Sequence, residues 1–310
     1  MKKVILLFFT LIITVLLTSC KSGGFSSGII YDNADKYLIG SQEYDATIDE
    51  LEIDWLAGKV TLIEDSTLTK ISVIEESDLE DYKKVHTWLD GKTLHVKYAE
   101  SGLVYTWTML EKNQKNVTIK YNPVTTLDID LTSAKLEAES INAKEVNFDY
   151  TSGDLNIGSL NAENVNIDYT SGSFTINSLT ANKLSVDSTS GDFKALELKA
   201  DDVDVNLTSG DFTANLKEVS KLEMDTTSGN IKLTIPDSIR ADITATSGNV
   251  ELTIPENIRV DLTLKKTSGN LKTEKTFTKI ADLYQFGPME VSFVACYINV
   301  VITSGTLRIK

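Results

Sequence analysis

The sequence predicts an all-β protein: a β-solenoid, a β-helix-like stack of 19-residue repeats with two or more strands per rung and atypical capping ends. Three observations carry that reading. Thr-Ser-Gly begins at Thr151, Thr170, Thr189, Thr208, Thr227 and Thr246, each 19 residues after the last, and Thr132-Ser133-Ala134 extends the series one step earlier. Apolar and polar residues alternate on both sides of every copy, which is the period of half-buried strands. No stretch of this region keeps a helical period. A fixed spacing of this length means identical supersecondary units stacked on one another.

Aligning the copies on the threonine locates the core. Five residues before it stand Leu127, Val146, Val165, Leu184, Val203 and Leu222; three before it, Ile129, Phe148, Ile167, Val186, Val205 and Met224. Four after it come Leu136, Leu155, Phe174, Phe193, Phe212 and Ile231; six after it, Ala138, Ile157, Ile176, Ala195, Ala214 and Leu233. Each unit reads as strand, Thr-Ser-Gly turn, strand and return loop, with the glycine supplying a positive φ at the turn. About five inward side chains contribute roughly 1.5–3 kcal/mol each. Ordering the backbone costs on the order of 1–2 kcal/mol for every residue. One unit cannot stand alone, so neighbours must stack on it.

From the N-terminus, residues 1–19 combine a basic start, a short apolar run and small residues before Cys20, the pattern of a secretory signal peptide. Leu17-Thr18-Ser19-Cys20 resembles the bacterial lipobox, which makes Cys20 the lipid-modified first residue of the mature chain. A plain signal peptide with an incidental cysteine, and a signal anchor, are the alternatives. Residues 20–30 read as a Gly/Ser tether. Residues 31–125 are a degenerate β region that caps one end. Within it Leu51-Glu52-Ile53-Asp54-Trp55 and Gly58 parallel the repeats, and Gly58 precedes Ala134 by 76 residues, four periods. Residues 126–275 hold the regular repeats. Residues 276–310 form the second cap and end on Thr303-Ser304-Gly305. With Cys20 acylated, Cys296 is left as a small core residue without a disulfide partner.

The formal charge of −15 argues against nucleic acid as a partner. The acid is ordered. Asp130, Asp149, Asp168, Asp187 and Asp225 stand two residues before a threonine; Asp154, Asp192 and Asp211 stand one after a glycine. Stacking turns them into two files beside the turn. Two readings stay open: a ligand or Ca²⁺ site, since calcium takes six to eight oxygens, or a solvated edge that caps turns. Catalysis has little to work with. His86 and His95 are the only histidines, and no nucleophile elbow, zinc motif or phosphate loop is present.

The Thr-Ser-Gly-Asp/Asn turns, the ending Ile302-Thr303-Ser304-Gly305-Thr306-Leu307-Arg308-Ile309 and the opening Tyr31-Asp32-Asn33-Ala34-Asp35-Lys36-Tyr37 resemble the bacterial adhesin-like family of β-strand-repeat surface proteins. The resemblance spans about residues 31–310. It implies an extracytoplasmic, non-enzymatic protein without cofactor; the membrane anchor at Cys20 comes from the lipobox and is not common to every member of that family. It also implies adhesion to an envelope component, glycan or protein. The alternatives are an envelope-stress sensor or sequestering protein for cationic peptides, and a purely structural spacer.

Overall fold

The computed structural model describes residues 26–288, save 78 and 113, and residues 296–310. The expected signal peptide and Cys20 lie outside the described residues. Strands make up 68% and helix 4% of the described residues, an all-β protein. Folded structure begins earlier than the tether expected over residues 20–30 allows. Ser26–Gly28 pairs antiparallel with Val104–Thr106, and Ile29 is buried.

The repeats stack in parallel at an offset of 19. Leu127 lies opposite Val146, and Val146 opposite Val165; after the turn, Leu136 lies opposite Leu155 and Leu155 opposite Phe174. Each rung has two principal sides, one on either side of Thr-Ser-Gly. A short third stretch follows, where Leu160 meets Leu179. Inward residues form continuous files. The rings of Phe174, Phe193 and Phe212 stack at centroid distances of 5.3 and 4.6 Å, and those of Tyr150 and Tyr169 at 4.8 Å. These are the spacings of hydrogen-bonded strands, so each ring covers the one below it.

The Thr-Ser-Gly positions differ from the turns read in the sequence. Pairing continues through the corner, and the glycine answers close approach between rungs more than a turn conformation. A Cβ on Gly210 would overlap the carbonyl oxygen of Gly191, and one on Gly248 that of Gly229; only Gly210 of this pair has a positive φ, +105°. Serine ties the corners together. Ser171 and Ser209 Oγ donate to the carbonyls of Thr151 and Thr189, both at 3.2 Å. Where the inward residue before the threonine is Ser188 or Thr226, its hydroxyl accepts the N–H of Gly191 or Gly229 at 3.1 and 3.0 Å.

The third inward file shifts partway along the stack. The register slips between Ala195 and Leu198, so that Leu198 pairs with Leu216 at an offset of 18. Later rungs carry their third inward residue one position nearer the threonine.

Both ends correct the sequence reading. Strand Glu50–Glu64 lies directly on Thr126–Asn142, with Gly58 opposite Ala134, so the 76-residue spacing is one rung step and not four. The next layer is Thr93–Lys97 and Lys115–Tyr121, still parallel. Outside it, Ile71–Glu75, His86–Asp90, Leu38–Ile39 and Gln42–Tyr44 complete the end with antiparallel pairs. At the other end, residues 276–310 are not simply a terminal cap. Cys296–Ile302 runs between Ile239–Ala245 and Val260–Lys266, parallel to both, and Thr306–Ile309 runs between Val250–Thr253 and Asn270–Thr273. The last repeat is thus an interior rung. The outer position falls to residues 260–273, covered on one side by Leu283–Phe286 and Phe277–Ile280.

Candidate functional site

The sequence places one acidic file on each side of the corner, and the structure keeps them apart. On the first side, Asp54, Asp130, Asp149 and Asp168 lie opposite one another on successive rungs. Asp54 is ion-paired with Lys97. Asp130, Asp149, Asp168 and Asp187 make no side-chain hydrogen bond or ion pair among the described residues. Unit charges about 4.8 Å apart repel by roughly 1 kcal/mol even in water. Burial against the neighbouring rungs, then Asp54 and Asp149, push the Asp130 carboxyl up to about 6, against the pull of Lys97. Burial raises Asp149 as well, and burial with Asp149 and Asp187 raises Asp168.

Beside this file runs a groove of about 380 Å³, bordered by Asp168, Asp187 and Asp225 on one side and by Thr189, Thr208 and Thr227 on the other. The same spacing that stacks the rungs sets carboxylate beside hydroxyl on each rung of the groove except one, where Asn206 replaces the acid. Sequence reasoning found the carboxylates but treated the threonines only as turn markers. Their exposure, read from the rungs, makes them the second wall.

Across the corner, the second file ties one oxygen of each acid to the next rung. Asp154 Oδ1 accepts the Ser173 hydroxyl at 2.7 Å, and Asp192 Oδ1 accepts the Asp211 N–H at 2.8 Å. Asp211 Oδ1 accepts the Asn230 side-chain amide at 2.8 Å, and Asn230 Oδ1 that of Asn249 at 3.0 Å. Each side chain caps the next rung. This donor set does not fit calcium, which needs oxygens converging from several directions. On the first side, Glu50, Glu52 and Asp128 bring three carboxylates within 4.8 Å of one another. Each already has a partner: Thr93 on Glu50 at 2.9 Å, His95 on Glu52 at 2.6 Å, Asn147 on Asp128 at 2.5 Å.

The pairs Glu52–His95 and Asp54–Lys97 escaped the sequence reading. Both depend on Thr93–Lys97 stacking on Glu50–Glu64 at an offset of 43, which no period of 19 announces. His95, read as an outward strand residue, also stacks on Trp88 at 5.2 Å. His86 is buried, with Nδ1 at 2.9 Å from the Lys84 carbonyl.

A family model described as Toastrack DUF4097 matches residues 48–253. No curated protein matches the chain. Among solved structures, one called a "putative adhesin" from Parabacteroides distasonis is similar over 88% of this chain and 97% of its own, at 13% identity and a TM-score of 0.54. Another of that name, from Parabacteroides merdae, covers 88% and 96% at 15% identity and a TM-score of 0.46. A structure from P. distasonis whose name reads "Putative lipid binding protein" covers 88% and 96% at 15% identity and a TM-score of 0.47.

Proposed function

The chain belongs to the Toastrack family, DUF4097, and from that premise we propose an adhesin-like, non-enzymatic binding scaffold of the cell envelope, anchored by lipid at Cys20. Its β-solenoid presents the groove between the aspartate and threonine files to an extended cationic or polyhydroxylated partner. The observation that supports this most directly is the run Asp130, Asp149, Asp168 and Asp187, four carboxylates on consecutive rungs with no partner among the described residues. A stable stack does not need them, because the file across the corner shows how acids are bonded when they serve the stack.

A spacer would tolerate uniform polar columns. This file changes character along its length: Asp225 lies opposite Thr244, Thr244 opposite Val301, and Val301 opposite Lys265. Such a gradient favours binding at the acidic half over a purely structural role. A sequestering protein for cationic peptides would use the same half.

The test is retention of labelled polylysine by membranes from cells expressing the full chain. The triple variant D149N/D168N/D187N is expected to lower retention about tenfold at low salt and to leave the protein in the membrane fraction. Cys20→Ser is expected to release it. Unchanged retention in the triple variant overturns the groove, and a membrane-bound Cys20→Ser protein overturns the anchor.

A further inference from the structure

Both ends of the stack leave strand edges open, and the two ends carry opposite charge. At the C-terminal end, Phe277–Ile280 pairs only with Leu283–Phe286, and Asn270–Thr273 only with Thr306–Ile309, among the described residues. At the N-terminal end, among the described residues, Leu38–Ile39 pairs only with His86–Asp90, and Gln42–Tyr44 only with Ile71–Glu75. Unpaired N–H and C=O groups on such edges are templates for another strand.

The pairing senses make the two ends match. Thr93–Lys97 runs with the rungs, His86–Asp90 against them and Leu38–Ile39 with them again. At the far end, Val260–Lys266 runs with the rungs, Leu283–Phe286 against them and Phe277–Ile280 with them. On the second side, Gln42–Tyr44 and Asn270–Thr273 also keep the rung direction. All four open edges therefore point the same way. On the first side a copy placed end-on could continue the parallel ladder, whereas the second side of the C-terminal end stops two strands short of it.

Side chains select this arrangement over its alternatives. The edges are apolar at their centres: Phe277 and Ile280 are 39% and 60% exposed, Leu38 and Ile39 50% and 48%. Around the C-terminal edges stand Lys265, Lys266, Lys272, Lys275 and Lys279 against Glu274 and Asp282. Around the N-terminal edges stand Asp32, Asp35, Glu43 and Asp45 against Lys70 and Lys36, the ammonium of Lys36 sitting 4.6 Å from the Trp88 ring. Lys84, beside Gly40, is paired with Asp81. A two-fold contact through either end would set like charge on like charge. Only tail to head brings lysines to aspartates and glutamates.

We propose that the chain associates head-to-tail with further copies of itself, Phe277–Ile280 of one copy docking on Leu38–Ile39 of the next. Such a contact is heterologous and leaves a free end, so it propagates as a filament. The edges are two to four residues long, which makes each junction weak and concentration-dependent. This proposal uses none of the groove residues and stands apart from the binding function above.

The test uses two full-length chains, one carrying Ile39→Cys and the other Ile280→Cys, with a short bis-maleimide and the parent chain as background. The mixture is expected to give cross-linked dimer at about fivefold or more over either chain alone. Lys275→Glu with Lys279→Glu in the Ile280→Cys chain should abolish that excess. Asp32→Lys with Asp35→Lys in the partner should bring it back. These positions are on the surface, and unchanged circular-dichroism melting verifies that the variants fold. A dimer from the Ile280→Cys chain alone at equal yield, no excess over the parent, or an excess indifferent to charge reversal each overturns the proposal.

Discussion

The regular rungs and the N-terminal end fill the same kind of interior by opposite means. In the rungs every inward residue is covered by its own equivalent one step away, as in the stacked rings of Phe174, Phe193 and Phe212. At the N-terminal end that supply of equivalents stops. The corner file, read along the stack, runs from Gly153 through Ala134 and Gly58 to Lys115. Among the described residues no rung presses on Lys115, so the position that is glycine or alanine on the neighbouring rungs can carry a long side chain. Its ammonium turns over the end of the core, 5.0 Å from the Trp55 ring and 4.3 Å from that of Tyr98, and pairs with Glu75 at 3.0 Å. The Lys83 and Tyr98 carbonyls accept from the same group. Repetition thus demands the smallest residue where rungs touch, and loss of repetition permits a buried charge.

The largest effect should come from violating the first half of that contrast. Gly210 combines a φ of +105° with a Cβ position occupied by the Gly191 carbonyl oxygen. Gly91 has φ +61° in the hairpin between His86–Asp90 and Thr93–Lys97, with nothing within 4 Å of its Cβ position. Gly210→Ala is expected to cost upwards of about 4 kcal/mol or to prevent folding. Gly91→Ala should cost only about 1–2 kcal/mol, the strain of a left-handed alanine. Denaturant unfolding of the two variants checks this; equal losses would mean that φ, and not contact between rungs, selects the glycines.

The second half of the contrast predicts the next largest effect. Lys115 and Glu75 are 1% and 2% exposed in their side chains, and removing one partner leaves the other charge buried. Lys115→Met should therefore cost about 3–5 kcal/mol, while Lys115→Met with Glu75→Leu should recover most of it. Burial lowers the Lys115 pKa from 10.5 to about 8, against the opposing effect of Glu75. The unfolded chain then holds a proton that the folded chain releases, so between about pH 8 and 10 this group makes stability rise with pH. The rise should vanish in the double variant. A double variant as unstable as the single one would mean that shape, and not charge, matters there.

Much of this was legible in the sequence. Wherever a rung has a rung on each side, alternation and a period of 19 specify which residues point inward, and the inward files from Leu127 to Leu233 are buried as read. What escaped depends on chain order departing from stacking order. Glu50–Glu64 and Thr126–Asn142 are neighbours across 76 residues, and Thr303 lies next to Thr246 across 57. Both distances are multiples of 19, so period alone cannot tell a neighbour from a distant rung. The bonded aspartates escaped for another reason. Asp149 and Asp154 look alike as letters flanking one turn, and only the partner on the next rung separates a carboxylate left over from one already in use.

The smallest effect tests that last distinction. Asp130 sits in the unbonded file, and its carboxyl is raised from 3.8 to about 6 by burial first and by Asp54 and Asp149 second. A folded pKa above the unfolded one means that the folded chain holds the proton longer. The stabilisation from protonation is complete below about pH 4 and is lost as pH rises through 6. Asp130→Asn keeps the shape and cannot ionise, so it should match the parent near pH 4 and exceed it at pH 7. The side chain is exposed at its outer edge, and solvent screening there limits the gain to about 1 kcal/mol. Chemical denaturation at pH 4 and pH 7 reads the difference directly. If Asp130→Asn is instead less stable at pH 7, Asp130 has a bonded structural role like that of Asp192 or Asp211, and the two files are not the opposites that their hydrogen bonds make them.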